Sequence, residues 1–505
     1  MLRFILRRLG VSALILFLGS VFLFFITVFS GDPLADLRES RDRNREQLME
    51  ARTRNMNLNE PWYVRYWMWL TGVAKCVTLN CDLGVDSRGS NINTALVNAA
   101  GSTLRLVTLA TVLAIIIGIT MGILAAIRQY SGFDYAVTFA AFLFYSLPVF
   151  WVAVLLKEYG AIRFNNWMAD PSISLAATVI IAVLFALTLA SVLGGDVRRR
   201  LLTGGIAALV AFGALTYFDS VGWWRQPALG LPLIILIALG AGVLLTYLTV
   251  GTTNRKILYA ALTTIAAGIV GWFVFNGWIV EPTYPLLLLM LAISIVCAIV
   301  IGWLWGGWDR NIAIWVSIGT ATAFAGAAAL DQLLRNWGPF LERKPRPIST
   351  IGSGSVNFQG PFWTEIWDWG VQLILPTIVL TVISLASYSR YTRASMLETI
   401  RQDYVRTARS KGLSERVVIT KHALRNALIP ITTIVAFDFA GLIGGAVVTE
   451  TVFGWKGMGA LFQEGLQRVD PGPVMAFYLV TGTAAVLMNM VADIAYAFLD
   501  PRIRT

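Results

Sequence analysis

The chain is poor in the residues on which soluble catalysis depends. Charged residues make up 14% of its 505 positions, histidine occurs once, as His422, and cysteine three times. One histidine and three scattered cysteines form no Cys/His set with metal-ligand spacing, which excludes zinc chemistry, and they are too few for a disulfide scaffold. The phosphate-cradling pattern G-x-x-x-x-G-K-[ST] is absent, so the chain cannot hydrolyse ATP by itself. The middle of the chain does not repeat its ends, which argues against a two-halved secondary transporter.

What the chain has instead is hydrocarbon. It is 57% hydrophobic with a mean hydropathy of +0.68, a balance that defines a polytopic membrane protein. The net charge of +11 could suggest nucleic acid. The basic residues, however, fall in short loops between apolar runs, where membrane orientation explains them. Membrane lipids are therefore the expected surroundings, and nucleic acid is not an expected partner.

Read in order, Arg3, Arg7 and Arg8 precede a first apolar run at 9–29 that is long and lacks a small-residue cleavage site, so it is expected to be a retained span. Residues 1–30 form that first helix, and 31–101 a polar extracytoplasmic segment. Within it Cys76 and Cys81 have four residues between them, which leaves open a bridge or two free thiols. Residues 102–157 carry two further spans, the second interrupted by Pro148, where a kink is expected. Residues 158–335 hold six apolar runs, each long enough to cross about 30 Å of hydrocarbon. Their loops alternate between basic (GGDVRRR, TTNRK) and tryptophan-rich. Trp223, Trp224 and Trp278 are placed at the outer interface, and Trp303, Trp305 and Trp308 at the inner one.

Residues 336–370 read as an extracytoplasmic loop whose basic LERKPRP is solvated. Residues 371–505 complete the set with three more spans. The total is an all-α fold of about twelve transmembrane helices with both termini in the cytoplasm.

The most informative stretch is 390–428. Between Arg390 and Arg425 lie nine Lys/Arg against three acids, which marks a cytoplasmic loop. From Ser414, the pattern SERVVITKHALRNAL places Ser at an N-cap, Glu415 in the first turn and apolar residues at helical spacing. A short amphipathic helix lying along the membrane face is expected, with Gly412 permitting the preceding turn and Pro430 marking the start of the next span.

This loop resembles the EAA-type loop of the integral membrane subunits of binding-protein-dependent ABC importers, in the dipeptide/oligopeptide/nickel class. A small pair, Thr407 and Ala408, is followed by Gly412 four residues after Ala408 and by Pro430 eighteen after that, as in the family signature. The flanking RASMLETIRQDYVRTARSKGLS, GGAVVTETVFGWKGMG and DIAYAFLDPRIR strengthen the match. The resemblance covers 1–156 and 369–505, and leaves a six-span insertion between the third and fourth family spans.

The resemblance implies a type I ABC importer fold. It implies that Ala408, Lys411, Gly412, Leu413, Ser414, Glu415, Arg416 and Pro430 couple the spans to a cytoplasmic ATPase. It also implies the partners: two ABC ATPase subunits holding ATP and Mg, a second homologous permease subunit and an extracytoplasmic substrate-binding protein. No cofactor is expected in this chain itself. Short peptides are the implied solute; nickel or another small solute is the alternative within the class, and a secondary transporter or polytopic membrane enzyme the alternative outside it.

Ionisable residues inside spans are candidates for the path. Asp438 could meet a peptide amine, a partner's cation, water in a pathway, or a structural partner. Glu450 stands at the outer end of the same helix, Gly444 and Gly445 allow close packing, and Asp493 is expected to pair with Arg502 or Arg504.

Overall fold

A computed structural model describes residues 2–78, 80–251, 254–355 and 358–499. Among them the chain is helical throughout, with one isolated β-bridge between Val85 and Asn91. It divides into two compact units. One comprises Met1–Gly160, Thr350–Ser353 and Leu373–Thr505, and the other Ala161–Ser349 and Gly354–Gln372.

The first unit begins with α1 (Leu2–Phe29), followed by three helices outside the membrane-spanning set: α2 (Ala35–Glu39), α3 (Arg45–Asn55) and α4 (Trp62–Ala74). Arg52 of α3 ties it to α2 by donating to Pro33 O at 2.8 Å and pairing with Asp36 at 2.5 Å. Phe24 of α1, Tyr66 of α4 and Met475 form a small buried cluster under α4. Cys76 and Cys81 are joined as a disulfide, with Cα atoms 4.1 Å apart.

Helix α5 (Ile92–Ile127) starts ten residues before the expected 102 because Asn91 caps it, accepting from the Asn93 and Thr94 amides. Its 36 residues give about 54 Å, well beyond the hydrocarbon thickness. Helix α6 (Gly132–Ser146) is capped by Ser131 and ends before Pro148; α7 (Val149–Leu156) continues through a π-helical turn into α8 (Phe164–Ala169). The expected kink is a break with a 102° change of direction. The pre-proline restriction holds Leu147 extended, so no helical turn bridges the two pieces.

The second unit contains α9 (Leu175–Leu193), α10 (Val197–Ser220), α11 (Gly230–Val250), α12 (Arg255–Val280), α13 (Tyr284–Gly306), α14 (Arg310–Arg335) and α15 (Trp337–Arg343). Ser174, Asp196, Asn254 and Thr283 cap α9, α10, α12 and α13 through their side chains. Helices α13 and α14 pack backbone to backbone: a Cβ on Gly302 would lie 2.5 Å from Ile314 Cα. Asp331, fully buried on α14, accepts from the amides of Leu229 and Gly230 at 2.8 Å each and caps α11. Its other oxygen meets Arg335 at 2.7 Å. Between α12, α13 and α14 lies an apolar cavity of about 410 Å³ bordered by Gly268, Gly271 and Phe324.

Among the described residues of 336–370, the chain is held more closely than the solvated loop expected from sequence. Lys344 of LERKPRP turns inward and donates to Asp368, Ser349 and Ser355. Burial of Asp368 makes a cationic partner favourable there, and the loop closes around the pair. Helix α16 (Phe362–Ile400) therefore begins nine residues before the expected 371.

The remaining helices belong to the first unit: α17 (Asp403–Ser410), α18 (Glu415–Val417), α19 (Leu424–Gly445), α20 (Val447–Phe453), α21 (Met458–Gln467) and α22 (Pro471–Leu499). Helices α5 and α16 approach closely along the small-residue face of Gly118 and Gly122, where a Cβ on Gly122 would lie 2.6 Å from Thr392 Cβ. Leu106, Val107, Ala110, Leu380, Ile443 and Trp455 fill the adjoining core.

Among the described residues, ten segments are long and apolar enough to cross a membrane, or eleven when the bent pair at Pro148 is taken as one span. The expected count was about twelve. The difference lies at Tyr284–Arg343, a single apolar segment by composition that contains α13 and α14. Many large apolar side chains on these helices face outward, Leu187 and Leu209 among them, as a hydrocarbon solvent requires.

Candidate functional site

The basic loop is an exposed tip on a buried base. Val405 and Ala408 of α17 pack with Ala126 of α5, Met396 of α16, and Val418, Ala423 and Ala427 beyond the turn, all buried. Ser395 of α16 donates to Ala427 O at 2.9 Å, so the loop is joined to two long helices at once. Gly412 makes the turn with φ +74°, a left-handed conformation that suits glycine. Lys411, Gly412, Leu413, Ser414 and Glu415 are exposed at the tip. Across it Arg409 grips Glu415 with two contacts, Nη2–Oε1 at 2.6 Å and Nε–Oε2 at 3.0 Å. The Arg409 hydrogen bond holds the Glu415 carboxyl below its ordinary range. The side chain of Arg416 lies outside the described residues.

Three details differ from the sequence expectation. The separate amphipathic helix is only the three residues of α18; a π-helical turn over Val418–Ala423 then merges it with α19. Pro430 sits inside α19 instead of at its start, because the helix runs on from the loop without interruption. Ser414 occupies the N-cap position with extended backbone but makes no capping bond, and Glu415 turns to Arg409.

Asp438 of α19 accepts from Ser384 Oγ and Tyr388 Oη of α16, both at 2.7 Å. Glu450 of α20 is fully buried and accepts from Thr103 Oγ1 at 2.6 Å and from the Gly459 and Ala460 amides at 2.8 and 3.2 Å. It thus caps α21 and fastens it to α5. Gly444 and Gly445 fall in the last turn of α19 and their surroundings lie outside the described residues, as does the Asp493 pairing with Arg502 or Arg504.

One pair was missed from sequence. Arg393 of α16 holds Asp134 of α6 through two contacts of 2.6 and 2.8 Å, with Asp134 buried. The partners are 259 residues apart, so no local spacing signals them. Three residues earlier on α16, Arg390 lies over the Tyr145 ring at 4.6 Å.

Apolar helices of spanning length, buried acids that cross-link them and one basic, packed loop are features of a polytopic membrane protein. Residues 260–505 match the family model described as the binding-protein-dependent transport system inner membrane component, and residues 1–84 its N-terminal companion. The dipeptide transport system permease protein DppB of Alkalihalophilus pseudofirmus is 35% identical over 235 residues, 45% of this chain and 70% of that protein. The oligopeptide transport system permease protein OppB of Mycobacterium tuberculosis is 38% identical over 180 residues, 36% of this chain and 54% of that protein. The di/tripeptide transport system permease protein DppB of Pseudomonas aeruginosa is 49% identical over 132 residues, 26% of this chain and 39% of that protein. The chain belongs to the family of binding-protein-dependent inner-membrane transport components. It is a multi-pass inner-membrane transporter subunit, not a catalytic enzyme, and a system of this kind implies ATPase and substrate-binding partners.

Proposed function

We propose that the chain is the permease subunit of an ATP-driven importer of short peptides. It pairs with a second homologous permease, receives work from two cytoplasmic ABC ATPase subunits that hold ATP and Mg, and accepts solute from an extracytoplasmic binding protein. Both termini lie in the cytoplasm, on the side of the basic loop.

The observation that carries this reading is the exposed Lys411–Glu415 tip seated on the buried cluster of Val405, Ala408, Met396 and Ala427. A push on the tip reaches α5, α16 and α19 through close packing, which transmits displacement because interiors are dense. In this reading Ala408, Lys411, Gly412, Leu413, Ser414, Glu415 and Arg416 contact the ATPase, and Pro430 sets the stiffness of the helix above it. Asp438, with Ser384 and Tyr388 around one oxygen, serves the path along with Gly444 and Gly445, while Glu450 braces the outer end. The peptide class is supported by the relatives, which are dipeptide, oligopeptide and di/tripeptide permease proteins.

The test is Gly412→Asp in the assembled complex. A side chain at φ +74° strains the turn and adds a negative charge at the tip. Peptide uptake and peptide-stimulated ATP hydrolysis should both be lost while the chain stays membrane-inserted; wild-type uptake would refute the coupling role.

A further inference from the structure

Helices α3 and α4, outside the membrane-spanning segments, border a cavity of about 280 Å³ that the transport reading does not use. Arg65 and Trp69 both line it, one helical turn apart on the same face of α4. The Arg65 guanidinium is half-buried and has no hydrogen-bond or ion-pair partner among the described residues. The Trp69 Nε1–H is buried and meets no acceptor. A buried donor without an acceptor is rare in folded proteins, and here it shares one small cavity with a half-buried, unpaired guanidinium, a combination suited to an acceptor from outside.

The carboxylates of the cavity do not fill that need. Asp470 accepts from the Ser87 amide at 2.6 Å through one oxygen and from the Gly472 amide at 3.0 Å through the other. Asp82 accepts from the Gly84 amide at 3.3 Å. Burial lowers the pKa of Arg65, and the nearby Asp470 charge acts in the opposite sense. The guanidinium would gain from a closer anion, since charge-assisted hydrogen bonds to a carboxylate are the strong ones.

The remaining wall is adaptable. Met56 and Met68 line the same cavity, and methionine accommodates side chains of varied shape. The volume is below the usual range for drug-sized ligands, so it admits one residue and not a whole peptide.

We propose that this cavity binds the C-terminal residue of a short peptide. Arg65 pairs with the terminal carboxylate, Trp69 Nε1 donates to one of its oxygens, and the last side chain rests on Met56 and Met68. This assignment rests on the peptide reading given above.

The test uses the full chain in lipid nanodiscs, with binding followed by calorimetry. The probes are alanyl-leucine, its C-terminal amide, and 4-methylpentanoate, which keeps a carboxylate and a leucine-like tail without a peptide bond. Amidation and Arg65→Gln should each weaken alanyl-leucine binding by roughly tenfold or more, and Trp69→Phe by about fivefold. Arg65→Lys should recover part of the loss, which separates a lost charge from a misfolded helix. Equal binding of acid and amide overturns the proposal. If Arg65→Gln leaves alanyl-leucine binding unchanged while the assembled complex still takes up peptide, the cavity assignment fails and the transport reading stands. If 4-methylpentanoate binds through Arg65 and alanyl-leucine does not, the assignment to a peptide terminus is overturned, and the same result counts against peptide as the solute.

Discussion

The two units use buried charge differently. In the first unit, buried acids join segments far apart in the chain: Asp134 to Arg393 across 259 residues, Glu450 to Thr103 across 347, and Asp470 to Ser87 across 383. In the second unit, Asp331 meets Arg335 one turn away and Lys344 meets Asp368 across 24 residues, while Asp331 also caps α11 from 102 residues away. Its long-range polar contacts include neutral groups, as where Asn165 exchanges two hydrogen bonds with the Ile348 backbone across 183 residues, and α12, α13 and α14 border the 410 Å³ apolar cavity. Long-range polar clasps define relative positions that have to be kept or switched; packing of successive helices only has to persist. On the transport reading proposed above, we propose that the working parts lie in the first unit and that the second supports them.

The strongest challenge to this contrast places one lesion in each unit. Gly122→Val forces α5 from α16, because the added atoms meet Thr392 Cβ and the Ser389 carbonyl. Gly302→Val does the same to α13 and α14. Each should cost about 1–3 kcal/mol of stability or more, read as thermal unfolding of the purified chain. Peptide uptake should vanish in Gly122→Val and persist in Gly302→Val; equal loss in both would erase the distinction between the units.

The buried acids offer a second comparison. Arg393→Ala leaves Asp134 buried without its cation, and with Arg393 28% exposed the expected cost is at the lower end of about 3–5 kcal/mol. Asp331→Ala removes the acceptor of two amides, at about 1–3 kcal/mol. Thermal unfolding should rank the variants in that order, with uptake impaired only in the first. The reverse ranking would mean that the second unit is the more tightly specified.

The smallest effect concerns pH at the loop tip. The Glu415 carboxyl has its pKa lowered by Arg409, so the pair contributes fully above the ordinary glutamate range. That contribution is lost as pH falls through the lowered value. The protection factors of the amides at 409–416, taken relative to the intrinsic exchange rate at each pH, should therefore be constant from neutral pH down to the ordinary glutamate range and should fall only below it. Loss of protection beginning near neutrality would indicate that Arg409 does not hold Glu415.

Sequence alone determined the solvent, the element type and the location of the basic loop. These follow from one-dimensional patterns: apolar runs of spanning length, charge confined to loops, and a glycine where the turn needs φ > 0. The six central helices were legible for the same reason, and so was the pre-proline break at Leu147, though not its angle. Tertiary structure decided the rest. The partners of Asp134, Glu450 and Asp470 lie hundreds of residues away, beyond any periodicity. The closing of Lys344 onto Asp368, the passage of α19 through Pro430, and the gathering of Arg65 and Trp69 around one cavity depend on what neighbouring helices leave unfilled. Composition settles where a segment can reside, whereas only packing settles which buried polar group it meets there.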